Sequence, residues 1–247
     1  MTLWFNLRRK SRNQLPAKSL IKGLRRKKIK NLISKASIGG IMLNSYFTVG
    51  QLATAEIIEK KSRFIANIAN VRTEEEAQGF LESIRKQYKD AGHNVYAYKV
   101  GLTNEIVRCS DDGEPSGTAG KPVLEVIQGN NLRNVIVVVT RYFGGTLLGS
   151  GGLVRAYSGA AKEGLLEAEV IERTLRRKWT VTVGYDLSKK FQHEFKKSNY
   201  ILSDTVYEQD IAFCVLVNAN ECDYFEAEMQ NLGNGGALVE ADEWVYV

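Results

Sequence analysis

Hydrophobic positions recur along the chain with two periods, and the switches between them predict an alternation of strands and helices. Tyr46 to Val49, Ile57 to Glu59 and Phe64 to Ile68 read as strands, the last two joined by the charged turn Lys60-Lys61-Ser62. Thr73 and Glu76 form a capping box, after which Ala77, Phe80, Leu81, Ile84 and Tyr88 share one helical face. Asn94 to Val100 and Ile106 to Cys109 read as strands, Val123 to Ile127 as a short helix, and the wholly apolar Val135 to Val139 as a strand buried on both faces. A glycine loop from Gly144 to Gly152 then opens a long helix with Leu153, Ala156, Tyr157, Ala160, Ala161 and Leu165 on its inner face.

Beyond Glu172 the basic stretch Arg173 to Lys178 reads as a connector. Trp179 to Tyr185 alternates as a strand, and Ser188 to Ser198 is helical, with Phe191 and Phe195 one turn apart. Ile201 to Tyr207 and Ile211 to Val217 make a hairpin, Glu221 to Leu232 a helix, and the segment after Gly235-Gly236 a last strand. The order β-α-β-β-α-β is that of a ferredoxin-like domain. The expected organisation is α+β: an extension at residues 1–41, a first domain at 42–172, a linker at 173–177 and a ferredoxin-like domain at 178–247.

Charge changes the picture at the N-terminus. Residues 1–41 carry twelve Lys and Arg and no acid, leaving 22 bases against 28 acids in the rest of the chain. The pI of about 9.1 therefore describes the extension and not the body, so nucleic-acid binding by the body has to rest on a local patch. Three readings compete for residues 1–41: a basic RNA-binding arm, an organellar transit peptide, or an upstream stretch ahead of a true start at Met42. The last is preferred, because codons for Gly39-Gly40 can spell a bacterial ribosome-binding site. Three cysteines without CxxC spacing point to a reducing, cytoplasmic setting, with neither a disulfide framework nor a zinc site. No apolar stretch is long enough to cross a membrane.

Two loops carry the candidate chemistry. The first is Asp111, Asp112, Gly113, Glu114, Pro115, Ser116, Gly117, Thr118, Ala119, Gly120, Lys121. Its carboxylates can bind magnesium or cap turns and the following helix, and capping is the commoner use. Pro115 and Pro122 stand where a Walker A loop needs Gly and Ser or Thr, which rejects that motif. The second loop runs through Arg141, Tyr142, Phe143, Gly144, Gly145, Gly149, Ser150, Gly151, Gly152 and Arg155. Its glycines and helix start suit an anion held between Arg141 and Arg155, although Val154 stands where a dinucleotide fingerprint needs its third glycine. His93 and His193 are the only histidines, and neither Ser116 nor Ser150 lies in a G-x-S-x-G elbow, so no catalytic residue is assigned.

The runs Lys61-Ser62-Arg63-Phe64, His93-Asn94, Asp111 through Gly120, and Arg141 through Gly145 and Gly149 through Tyr157 resemble, in order and spacing, the signature of the YigZ/IMPACT family. The resemblance covers residues 42–247. It implies a βαβ domain like domain IV of elongation factor G, followed by a ferredoxin-like domain like that factor's domain V. It also implies work on RNA or ribosomes and an association with translation control, without a cofactor. The expected surface joins Arg141, Arg155, Lys121 and the glycine loop to phosphate, with Tyr142 and Phe143 stacking on bases. Two alternatives stand beside it: a metal-dependent phosphotransferase or hydrolase using Asp111, Asp112 and Glu114, and a regulator that binds a protein partner.

Overall fold

The computed structural model describes residues 42–247, and the readings of residues 1–41 fall outside the described residues. Among the described residues there are ten strands and five helices, arranged around two antiparallel sheets. The first sheet is built from β2 (Ala53–Glu59), β3 (Ser62–Asn70), β4 (His93–Val100), β5 (Ile106–Ser110) and β6 (Val135–Tyr142), in the order β2-β3-β6-β4-β5. β6 is central because Val135 to Thr140 are buried on both faces, as their unbroken apolar run requires.

Alternate residues of these strands feed two cores. Phe64, Ala66, Ile68, Val95, Val137 and Val139 pack with α2 (Gly120–Gly129) and α3 (Ser150–Ala168). Ile136, Val138, Tyr98 and Val100 pack with α1 (Glu74–Gln87). The start of α1 is as the sequence predicts: Thr73 accepts the N–H of Glu76 at 3.2 Å, while the Glu76 carboxylate reaches back to the N–H of Arg72 at 2.6 Å.

The second sheet holds β7 (Val170–Val183), β8 (Ile201–Tyr207), β9 (Ile211–Asn218) and β10 (Leu238–Tyr246), with β10-β7-β9-β8 as neighbours. This is the ferredoxin-like order, with α4 (Tyr185–Lys197) and α5 (Cys222–Leu232) on one face. Trp179, Val181, Phe213 and Val215 meet Phe191, Phe195, Phe225 and Met229 in its core.

Two expectations need correction. Residues 173–177, read as a linker, lie inside the 14-residue strand β7. Their backbone is paired to β1 (Ser45–Val49) through residue 174 and to β9 and β10 beyond it. The basic side chains misled because their aliphatic stems lie along the sheet: the Arg177 guanidinium stacks on Trp179 and Trp244, at 5.2 and 5.4 Å from the ring centroids. β1 falls in the expected first domain, yet it joins the second sheet by pairing with β7. A paired strand resists protease even where it is basic, since cleavage needs an extended, unpaired backbone. Trypsin is therefore expected to leave Arg173 to Lys178 uncut while the protein remains folded, and early cleavage there, mapped by mass spectrometry, would restore the linker reading.

Candidate functional site

The two loops singled out in the sequence meet at one end of the first sheet. The first leaves β5 and enters α2, and its three carboxylates turn in three directions. Asp111 accepts the backbone N–H groups of Gly117, Ala119 and Gly120 at 2.8, 3.0 and 2.8 Å, closing the loop and capping the helix it precedes. Burial opposes its charge, but the three N–H donors outweigh that and hold its carboxyl below the usual aspartate range. Asp112, at φ 45°, accepts the N–H of Asn94 at 2.6 Å and faces Arg85 at 3.3 Å. Gly120 must be glycine, because a Cβ there would lie 2.7 Å from the backbone of Ser110.

Glu114 points the other way, into the protein, with its side chain only 3% exposed. Its Oε1 accepts Nη1 of Arg141 at 2.6 Å and the hydroxyl of Tyr157 at 2.7 Å. Burial, followed by the bond to Glu114, pushes the Tyr157 phenol well above its ordinary value, so it remains a donor at any physiological pH. Nε2 of His93 lies 3.9 Å from the same oxygen. The His93 Nδ1 sits 2.7 Å from the carbonyl of Asp112, and since a carbonyl only accepts, Nδ1 carries the proton. One buried carboxylate thus ties together β6, α3, the acidic loop and the start of β4. Sequence reading missed this knot, because its members stand 27 and 43 residues apart and share no local spacing.

The metal reading needs at least two of these carboxylates to converge, and each is spent on a different partner. Among the described residues no group of three or more His, Cys, Asp or Glu side chains is placed to hold an ion. Pro115, Ser116 and Gly117 are exposed, while Thr118 is buried and donates its hydroxyl to the Pro115 carbonyl at 2.6 Å.

The glycine loop follows β6. Arg141, expected on the surface, is instead 6% exposed, and its charge is matched by Glu114. Its guanidinium lies over the rings of Phe64 and of Phe143, 5.5 Å from each centroid. Tyr142 is half-buried: Arg63 lies over its ring, and its hydroxyl donates to Asp90 at 2.9 Å. Arg141 is held through Nη1 by Glu114 while its Nε is buried without a partner, and the Tyr142 hydroxyl is held by Asp90.

Past them the surface opens. Phe143 is 58% and Leu147 83% exposed, with Gly145, Gly149, Ser150 and Gly151 exposed around them. Gly144 passes against the turn between β2 and β3, where its N–H donates to the hydroxyl of Ser62 at 3.1 Å. Lys60 and Lys61, both exposed and both at positive φ, form that turn. Gly152 is buried, and a Cβ there would come within 2.9 Å of Leu148. α3 starts without an acidic side chain or a side-chain cap, and exposed Arg155 folds back so that Nη1 is 3.6 Å from where a Gly151 Cβ would stand. Lys121 is exposed in the first turn of α2. The glycine loop thus presents two apolar side chains beside Lys60, Lys61 and Arg155. The two lysines were not in the expected surface, and the signal for them was the turn Lys60-Lys61-Ser62, whose pairing across to Tyr142 only the fold reveals.

Comparison with known proteins places these loops in a wider group. Residues 60–165 match the Impact N-terminal domain, and residues 181–235 match a domain of unknown function (DUF1949). The IMPACT family member YvyE of Bacillus subtilis (strain 168) is 42% identical over 206 residues, covering 83% of this chain and 95% of that protein. The IMPACT family member YigZ of Escherichia coli (strain K12) is 32% identical over 186 residues, covering 74% and 91%. A crystal structure of a hypothetical protein superposes with a TM-score of 0.54 at 30% identity, covering 82% of this chain and 99% of that one. Among the described residues no helix is long and apolar enough to cross a membrane.

Proposed function

The chain belongs to the IMPACT family, and from that premise we propose that it is a non-enzymatic, cytoplasmic RNA-binding protein that acts on ribosomes or their RNA in the control of translation. The observation that carries this reading is the exposed glycine loop, with Phe143 and Leu147 at its surface and Lys60, Lys61 and Arg155 around it. Cations beside bare backbone N–H groups suit phosphate, and an uncovered ring suits a base. Lys121 adds charge from α2. Arg141 and Tyr142 leave the expected contact set, since the first is neutralised by Glu114 and the second is covered by Arg63.

The test is the salt dependence of binding to ribosomal RNA. Losing Arg155, or Lys60 and Lys61 together, is expected to weaken binding to all sequences alike and to lower the slope of log K against log salt by about 0.7–0.9 for each phosphate contact removed. An unchanged slope in both variants would contradict the proposal. Magnesium-dependent turnover lost on replacing Asp112 and Glu114 by Asn and Gln would install an enzyme in its place.

A further inference from the structure

The glycine loop also carries information about which form of RNA it would take, an inference that rests on the RNA reading above. The Arg141 guanidinium lies over the Phe143 ring, 5.5 Å from its centroid, and over the Phe64 ring at the same distance. Glu114 pairs with that cation at 2.6 Å and so anchors it beside the Phe143 ring. Phe143 itself is 58% exposed, with the rest of its ring open to solvent. A side chain of this size, left open on a loop while Tyr142 beside it is covered, is a platform without its next layer.

We infer that Phe143 is the stacking platform for one unpaired nucleotide, so that the chain prefers single-stranded RNA to duplex. Three observations favour a base over an apolar side chain of a protein. The ring lies on a cation, which draws electron density inward and suits its outer face to an electron-rich base. The surroundings are cationic, with Lys60, Lys61 and Arg155 exposed beside the loop, as a phosphate-bearing ligand requires. Leu147, 83% exposed on the same loop, offers an apolar contact where a ribose or a second base would lie. Inside a duplex the bases are already stacked and show only their edges, so a duplex offers the platform nothing except its two terminal pairs.

The experiment measures fluorescence anisotropy with a labelled single-stranded RNA and with the blunt duplex of the same sequence, for the wild-type chain and for Phe143→Ala, Phe143→Leu and Phe143→Trp. The expected result is tighter binding of the single strand. Phe143→Ala and Phe143→Leu should each lower single-strand affinity about 5- to 100-fold with little change for duplex, and Phe143→Trp should retain it. Phe143→Leu separates stacking from simple apolar contact, since leucine keeps the bulk and loses the ring. Single strand and duplex bound alike by the wild type, or full affinity in Phe143→Leu, would overturn the stacking inference while leaving the phosphate reading intact. A wild-type chain that binds neither RNA would overturn both, and a protein captured from lysate through an interaction lost in Phe143→Ala would then identify the loop as a protein-docking site.

Discussion

Replacing Arg141 by alanine is expected to destabilise the protein by about 3–5 kcal/mol, far more than the loss of one surface RNA contact would. The reason is what it leaves behind: Glu114, 3% exposed in its side chain, would stay buried with only Tyr157 as a close donor. Glu114→Ala strands the arginine in the same way and should cost a similar amount. Tyr157→Phe removes one hydrogen bond but leaves the ion pair, so about 1–2 kcal/mol is expected. Urea denaturation of the three variants reads the ranking directly. Arg141→Ala at wild-type stability, with weakened RNA binding, would return that residue to the surface role first expected of it.

Gly144→Ala is the second large effect. A Cβ at this position would stand 2.0 Å from the carbonyl carbon of Lys61, 2.2 Å from its oxygen and 2.3 Å from the nitrogen of Ser62. All three are backbone atoms where the turn enters β3, so no side-chain rotation relieves the clash. A loss of about 3 kcal/mol is expected, with the turn pushed away from the loop. Gly145→Ala is the control, since nothing lies within 4 Å of its Cβ position and only its φ of 81° opposes a side chain. It should cost about 1–2 kcal/mol. Thermal unfolding of both variants tests the order, and equal costs would mean that the close approach at Gly144 carries no weight.

These two positions also mark what could be read from the sequence. Local signals were legible: the Thr73 cap, the apolar run of β6 and the β-α-β-β-α-β order of the second half all report contacts made within one element or between neighbours. The family signature runs through both loops, which the fold brings to one end of the first sheet. What stayed hidden depends on long-range pairing. Arg141 looks like an anion ligand beside glycines because nothing near it in sequence shows that Glu114, 27 residues earlier, already holds it. Arg173 to Lys178 looks like a connector because charge masks a strand whose pairing partners are Ser45, Tyr46, Leu216 to Asn218 and Trp244 to Tyr246. Capping is one use the sequence suggests for the acidic loop, and Asp111 does it, but the inward turn of Glu114 three residues later has no local signal, since loop geometry decides which carboxylate faces solvent.

RNA is proposed to meet the exposed glycine loop and not the buried Arg141. Ultraviolet crosslinking of the bound chain to ribosomal RNA, followed by mass spectrometry of the peptides, tests this most directly, because photocrosslinks form where bases touch side chains. Crosslinks are expected in the peptide spanning Phe143 to Arg155, centred on Phe143, with those around Lys60 and Lys61 next in abundance. Crosslinks confined to the open face of the second sheet, at residues such as Lys178, Thr180 or Leu216, would contradict it.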